Sequence, residues 1–291
     1  MHLRAHEYWL LLKPRILLAM VALYSTSYIA SFASLGQAPF DFPHFVIGFV
    51  AVSLAVSGSN ALNCYLDRDI DALMVRTRRR PIPRGVVEPK VALVFGLLLL
   101  ASAAAISLYL GVVPFLLLII EGAGFYLVAY TILLKRRTSL NVLATAPSVA
   151  APSWFGWFMG GAPFNAQALI LGLIVAVWGP LHLWTIAYTF AEDYLRGEVP
   201  MLPSVLSPGR AVYSIVVSLL VLVSSTYFLA FLAGSILFTL AVSVINIPLL
   251  FVGARFYVTP SKRRGWWIFK LTAPYIVIVL SAFMIDKYLS V

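Results

Sequence analysis

Charged residues are scarce in this chain of 291 residues: Asp, Glu, Lys and Arg make up 11% of it, whereas hydrophobic residues make up 62%. Soluble globular domains carry about 25% charged residues, so this composition excludes an ordinary soluble domain. Cysteine is nearly absent as well. The single Cys64 excludes a disulfide within the chain and a metal site built from several cysteines.

The uncharged parts of the sequence are long apolar stretches. A helix needs about 20 predominantly apolar residues to cross the hydrocarbon core of a bilayer. The nine stretches that meet this length are residues 14–34, 43–64, 90–111, 114–134, 142–161, 166–190, 211–232, 235–254 and 267–286. We therefore expect an all-α polytopic membrane protein in which residues 1–291 form one domain, a bundle of nine transmembrane helices.

The basic residues lie almost entirely on one side of this predicted topology. If the N-terminus is cytoplasmic, 20 of the 21 Lys and Arg residues fall in cytoplasmic segments, and only Lys287 falls outside. This distribution follows the positive-inside rule. It predicts a cell-membrane protein with a cytoplasmic N-terminus and an external C-terminus. The net charge of +10 then belongs to the face that meets lipid headgroups, and we expect no nucleic-acid partner.

The acidic residues are few, and six of the eleven form two clusters at the cytoplasmic ends of the second and sixth predicted spans, within residues 63–71 and 192–198. Each cluster is followed by a run that contains proline, which indicates a weak internal duplication. Acids contribute little to membrane topology, so we expect the clusters to have a function. The alternative is a pair of solvated helix ends with surface ion pairs.

The spacing of the first cluster indicates its chemistry. Asn63, Asp67 and Asp71 are four residues apart and would share one face of a helix that continues past the membrane edge. Like charges at this spacing destabilise a helix, so arginines or a hard cation such as Mg²⁺ must offset them. Mg²⁺ takes a couple of carboxylates and completes its shell with water and substrate phosphate. Acids and arginines together, above an apolar bundle, predict a site for a ligand with a polyanionic head and an apolar tail, such as an isoprenyl diphosphate.

The same residues carry a resemblance to a known family. The motif reads Asn63-x-x-x-Asp67-x-x-x-Asp71, followed by Arg76-Thr77 and Arg80-Pro81. It resembles the motif of the UbiA-type intramembrane prenyltransferases, which also have nine spans. Within that superfamily, the stretches "DRDIDALMVRT", "LKRRTSLN", "WGPLHLW" and "EDYLRGEVPMLP" are similar to the haem O synthase branch. The resemblance covers nearly the whole chain.

The resemblance implies roles for individual residues. The catalytic residues would be Asp67, Asp71 and Asp193. Asn63, Asp67 and Asp71 would form a first Mg²⁺ site, and Asp193 a second. The family's second motif often has an aspartate four residues further on, where this chain has Gly197.

The resemblance leaves the remaining ligands of the second metal open, with Glu198 and then Glu192 as alternatives. It also implies that Arg76, Lys135 and Arg136 bind the diphosphate.

The resemblance also implies the reaction. A farnesyl group would pass from farnesyl diphosphate to a vinyl group of haem B and give haem O. Two ionisable residues within the predicted spans, His182 and Glu121, are candidates for contact with the acceptor. Each has a plain alternative: a packing histidine in the bundle, and an acid paired with a neighbouring hydroxyl.

Other functions stay open at this point. A prenyltransferase of the same fold could act on an aromatic quinone precursor, another tetrapyrrole or a lipid alcohol. A secondary transporter is disfavoured, because the coupling sites of transporters lie near the bilayer midplane, whereas these acids lie at the cytoplasmic rim.

Overall fold

Helices account for most of the residues that this computed structural model describes, which are 2–36 and 40–290, and no strand occurs among them. In chain order the helices are α1 (His2–Leu11), α2 (Pro14–Ala33), α3 (Phe42–Leu66), α4 (Arg68–Leu73), α5 (Pro89–Leu110), α6 (Val112–Leu134), α7 (Ala146–Met159), α8 (Ala166–Thr189), α9 (Ala191–Arg196), α10 (Leu202–Val205), α11 (Pro208–Ala233), α12 (Ile236–Val258) and α13 (Lys262–Leu289). Within α6, residues Leu116–Leu134 are wound as a π-helix. The prediction of an all-α protein is confirmed.

Eight helices in the described part of the chain are long and apolar enough to cross a membrane: α2, α3, α5, α6, α8, α11, α12 and α13. They match eight of the nine predicted spans. The other predicted span, residues 142–161, consists of the 3₁₀ helix Asn141–Thr145 followed by the 14-residue helix α7. At about 2.0 Å and 1.5 Å per residue, the two pieces cover roughly 31 Å, close to the thickness of the hydrocarbon core. The ninth predicted span is therefore made in two pieces.

Helix α7 packs closely against α2. The hydroxyls of Ser27 and Ser153 are hydrogen-bonded across this contact at 2.7 Å. A Cβ atom on Gly156 would lie 2.4 Å from the carbonyl oxygen of Tyr24, so only glycine permits this approach. In lipid, helices associate through such close packing and through hydrogen bonds between them. Small residues thus hold the two-piece crossing in place.

The helices that reach the acidic residues are the central ones. Helices α2, α3 and α8 bury 56%, 56% and 61% of their spanning windows inside the bundle, whereas α5 and α6 bury 22% each. Helix α2 begins directly after Lys13, α3 ends directly before Asp67, and α8 ends shortly before Asp193. The apolar packing of these three helices therefore fixes the positions of polar residues at one face of the bundle.

Candidate active site

The first acidic cluster lies at a junction between two helices. Helix α3 ends at Leu66 and α4 begins at Arg68, with Asp67 between them at φ −92° and ψ 5°. Helical hydrogen bonds continue through the junction: the Asp67 N–H donates to the Asn63 carbonyl at 2.9 Å, and the Asp71 N–H donates to the Asp67 carbonyl at 2.8 Å. The register of four residues is thereby kept.

The side chains follow this register. Asn63, Asp67 and Asp71 are 3%, 1% and 3% exposed, whereas Asp69 lies on the exposed side. This arrangement agrees with the prediction that Asn63, Asp67 and Asp71 share one face of the helix. Buried carboxylates need compensation, and the structure shows what supplies it.

One lysine contacts a side-chain oxygen of Asn63, and another contacts a side-chain oxygen of Asp67. Lys13 Nζ donates to Asn63 Oδ1 at 2.6 Å and to the Tyr126 hydroxyl at 3.3 Å. Lys135 Nζ donates to Asp67 Oδ2, which also accepts a hydrogen bond from Asn63 Nδ2 at 2.8 Å. Burial of its ammonium lowers the pKa of Lys13. These contacts join the start of α2, the end of α3 and the end of α6 in one site.

Asp71, the third residue of the motif, is paired with an arginine. Arg80 Nη1 donates to Asp71 Oδ2 at 2.6 Å, while Thr77 Oγ1 donates to the Asp71 backbone carbonyl at 3.2 Å. Asp71 and Thr77 are buried, so this ion pair is shielded on its acidic side. Each of Asn63, Asp67 and Asp71 therefore has one cationic side chain on a side-chain oxygen.

The donor set fits Mg²⁺. Asp67 Oδ1 is buried and has no hydrogen-bond partner among the described residues. In that same part of the chain, no three His, Cys, Asp or Glu side chains come together as a complete metal site. Mg²⁺ does not need one, because it is bound by one or two carboxylates and keeps water or substrate phosphate in its other positions. An unpartnered carboxylate oxygen of Asp67, in helical register with Asn63 and Asp71, matches that preference.

The second acidic cluster holds the loop that follows α4. Asp193 Oδ1 accepts a hydrogen bond from the Val75 N–H at 2.6 Å, and Oδ2 accepts one from the Arg76 N–H at 3.0 Å. Arg196 Nη1 lies 3.4 Å from Oδ1. The Arg76 guanidinium lies over the Tyr194 ring, 5.7 Å from its centroid. Asp193, which is 7% exposed, thereby ties α9 to the loop that carries Arg76.

The two alternative acids of the second cluster are both exposed. Glu192 is exposed and accepts a hydrogen bond from Lys262 Nζ at 2.7 Å, which lowers the pKa of its carboxyl. Glu198 is exposed and has a left-handed backbone at φ 54°. Neither side chain joins Asp193 among the buried groups.

Arg136 is held by a surface acid. Its Nη1 and Nη2 atoms each donate to a carboxylate oxygen of Asp69 at 2.7 Å. This pair is solvated, with side chains 44% and 60% exposed. The hydrogen bond from Arg136 lowers the pKa of Asp69 to about 2. Of the two predicted diphosphate ligands that follow α6, only Lys135 faces the buried acids.

His182 lies between aromatic rings in the bundle. Its ring stacks on Phe269, with centroids 4.3 Å apart, and on Trp178 at 5.0 Å. Its Nδ1 atom is 2.9 Å from the Thr272 hydroxyl. Helix α8 ends at Thr189 and α9 begins at Ala191, and in the described part of the chain no hydrogen bond joins the His182 side chain to the second cluster. These are the contacts of a packing histidine, and its side chain is half-buried.

Glu121 lies near the middle of α6. Its side chain is half-buried. It makes no hydrogen bond or ion pair to the described part of the chain. The structure thus keeps this acid apart from the buried cluster at the end of the same helix.

Comparison with known proteins agrees with this geometry. The family model described as the UbiA prenyltransferase family matches residues 23–276. The chain belongs to this family. A protoheme IX farnesyltransferase from Caldivirga maquilingensis is 36% identical over 97% of this chain and 99% of that relative. Another from Archaeoglobus fulgidus is 32% identical over 95% and 96%.

Solved structures show the same UbiA fold. A structure of digeranylgeranylglyceryl phosphate synthase superposes with a TM-score of 0.79, at 18% identity, over 99% of each chain. A UbiA homologue from Archaeoglobus fulgidus bound to GPP and Mg²⁺ gives a TM-score of 0.64, at 16% identity, over 95% of this chain and 99% of that one. The resemblance seen in the sequence is confirmed at the level of family and fold.

Some site residues of this UbiA-family chain are not predicted as ligands from the sequence: Lys13 contributes there only to the basic charge of one face, and Arg80 only to the motif. The backbone of Lys13 is left-handed at φ 50° and ψ 68°, which is uncommon outside glycine. Tyr126 and Tyr130 stack with centroids 6.1 Å apart. Their spacing of four residues, one turn before Lys135, is a signal that sequence analysis could use.

Proposed function

We propose that this protein is a Mg²⁺-dependent prenyltransferase that moves a farnesyl group from farnesyl diphosphate to a vinyl group of haem B and gives haem O. One observation carries the reaction type: Asn63, Asp67 and Asp71 are buried at the end of an apolar bundle, and each faces a cation. The relatives named protoheme IX farnesyltransferase, 32–36% identical to this chain, support the choice of prenyl group and acceptor.

Asn63, Asp67 and Asp71 are the proposed ligands of the first Mg²⁺. The homologue bound to GPP and Mg²⁺ supports this choice. Asp193 remains the proposed ligand of a second ion, because a carboxylate oxygen that accepts one N–H keeps a further lone pair. Bound Mg²⁺ would neutralise the charge that develops on the leaving diphosphate.

The cations beside the acids are the proposed diphosphate ligands. Lys13, Lys135 and Arg80 reach the oxygens that a metal would take. They are long side chains, and a phosphate oxygen offers them a stronger charge than a carboxylate that is shared with Mg²⁺. Arg76 would add to this group from the loop that Asp193 holds, whereas Arg136 would have to leave Asp69.

The chemistry then requires a dry cavity. The bond between C1 of farnesyl diphosphate and its oxygen breaks, and the electron pair leaves with the diphosphate. The terminal vinyl carbon of haem B attacks the allylic cation and forms the new C–C bond. Water adds to the inner vinyl carbon and loses a proton. The rings of Tyr126 and Tyr130 lie next to the cationic side chains, where an aromatic face can stabilise a carbocation until the acceptor attacks.

We further propose that the active-site face is cytoplasmic, that the protein lies in the cell membrane and that the C-terminus is external. The distribution of Lys and Arg supports this orientation. A reporter fused after Val291, which lies outside the described residues, should respond as an external tag. A cytoplasmic response would reverse the assignment.

Mass spectrometry of haem extracted from cells tests the function. Cells that express the chain should accumulate haem carrying a hydroxyethylfarnesyl group, and cells that express an Asp67→Asn variant at the same level should not. If both strains contain only haem B while a prenylated quinone precursor or lipid alcohol appears in the first, the acceptor is wrong and the family chemistry stands.

A further inference from the structure

The turn between α12 and α13 contains a groove that the proposed reaction does not use. It has a volume of about 500 Å³, and its lining residues are Phe251, Val252, Arg255, Ser261, Arg263, Arg264 and Trp267. We call this set the α12–α13 groove. It adjoins the active-site face, because Lys262 at the start of α13 is paired with Glu192 of α9.

The groove has a charged end and an apolar end. Arg263 and Arg264 lie in the first turn of α13, and Arg255 lies in the last turn of α12. Phe251 is seven residues before the end of α12, about 10 Å along the helix, and Trp267 is about 7 Å inside α13 at 1.5 Å per residue. In the proposed orientation the arginines would lie at the membrane surface, and the aromatic side chains would lie at the depth of the acyl chains.

The positive charge of the groove is not balanced within the described part of the protein. None of its three arginines makes an ion pair with a carboxylate there. The nearby carboxylate of Glu192 is already taken by Lys262 at 2.7 Å. Arg264 donates to the Thr259 carbonyl at 2.5 Å and so braces the turn. Arg255 and Arg263 are exposed and remain available to an anion.

We propose that the α12–α13 groove binds one molecule of an anionic phospholipid. The phosphate would lie among the guanidinium groups, which match phosphate geometry, and basic pockets between helices on this side of a membrane bind anionic headgroups. The acyl chains would cover Phe251 and Trp267, which are 63% and 51% exposed. A free phosphate would leave those two aromatic side chains uncovered, so the groove fits a lipid better than a soluble anion.

Native mass spectrometry tests this proposal on the full chain in detergent. The protein is offered phosphatidylglycerol or phosphatidylcholine with the same acyl chains. The test variant is Arg255→Gln with Arg263→Gln, which spares the bracing Arg264. The matched control is Arg78→Gln with Arg210→Gln, which removes two exposed arginines outside the groove.

Wild type and control should retain one phosphatidylglycerol in preference to phosphatidylcholine. At about 1 kcal/mol for each basic residue, the test variant should bind phosphatidylglycerol roughly thirty-fold more weakly. Added phosphatidylglycerol should also raise the melting temperature of wild type and control but not of the test variant, and an unchanged helical spectrum would show that the variant is folded.

Three results would overturn the proposal. The first is equal retention of the two lipids by wild type. The second is equal loss of phosphatidylglycerol in the test and control variants, which would reflect only total charge. The third is displacement of the lipid by millimolar inorganic phosphate, which would make the groove a site for a soluble anion.

Discussion

Replacing Asp67 by Asn should destabilise the protein as well as inactivate it. The substitution keeps the shape of the side chain and removes its charge. Lys135, whose side chain is only 12% exposed, would then lose the carboxylate it contacts. Lys135 and Arg80 are paired with Asp67 and Asp71, and Lys13 lies beside them on the amide oxygen of Asn63. After the change, three cations would share one acid.

The magnitude follows from burial. Removing one partner of a buried ion pair costs about 3–5 kcal/mol, because the other charge stays buried without compensation. Asp69 and Arg136 form the matched control, since their pair is 60% and 44% exposed. A solvated pair contributes about 0.2–1 kcal/mol. At about 2–4 °C per kcal/mol, Asp67→Asn should melt on the order of 10 °C below wild type, and Asp69→Asn within a few degrees of it.

Thermal unfolding in one detergent, followed by circular dichroism, measures both variants. Adding Lys135→Met to Asp67→Asn should recover most of the lost melting temperature without recovering Mn²⁺ binding, measured by electron paramagnetic resonance. Equal melting of Asp67→Asn and Asp69→Asn would refute the buried pair. Asp69 has a depressed pKa of about 2 against an unperturbed 3.8. Its small stabilisation should therefore be complete above pH 3.8 and disappear as the pH falls through about 2.

Other substitutions probe the remaining contacts. Asp193→Ala removes two charge-assisted hydrogen bonds to backbone N–H groups, so hydrogen exchange of that loop should accelerate; unchanged exchange would refute its positioning role. Lys13→Met should raise the KM for farnesyl diphosphate and lower kcat, whereas an effect on neither would remove Lys13 from the site. Gly156→Ala places a methyl group 2.4 Å from the Tyr24 carbonyl and should lower the melting temperature by several degrees, which the same scan detects. His182→Ala should weaken haem binding, measured by absorbance titration, more than farnesyl diphosphate binding; equal effects would leave it a packing residue.

The part of the site that the sequence predicts correctly depends on local helical periodicity. The shared face of Asn63, Asp67 and Asp71 depends only on a spacing of four residues, and the hydrogen bonds across the junction at Asp67 preserve it. Local spacing does not predict the cationic partners of these residues, because the partners are distant in sequence. Lys13 and Asn63 are 50 residues apart, and Lys135 and Asp67 are 68 apart. Helix packing decides which cation contacts which polar side chain. The pattern of charges along the sequence does not predict these pairs.

The two-piece crossing shows a second limit. Mean hydropathy is the same whether a segment winds as a 3₁₀ helix or as an α-helix, so residues 142–161 are predicted as one span. The local signal is Pro147, in the first turn of α7, where proline favours the start of a new helix. Sequence analysis that weighs such a proline would place a helix boundary just before it.

A reaction with purified components tests the proposed haem farnesylation most directly. The protein in detergent is given haem B, farnesyl diphosphate and Mg²⁺, and the products are separated and weighed by mass spectrometry. We expect haem O with wild type, and none after excess EDTA or with Asp67→Asn. Haem B that remains unconsumed while 4-hydroxybenzoate or a lipid alcohol becomes prenylated under the same conditions would contradict the assignment.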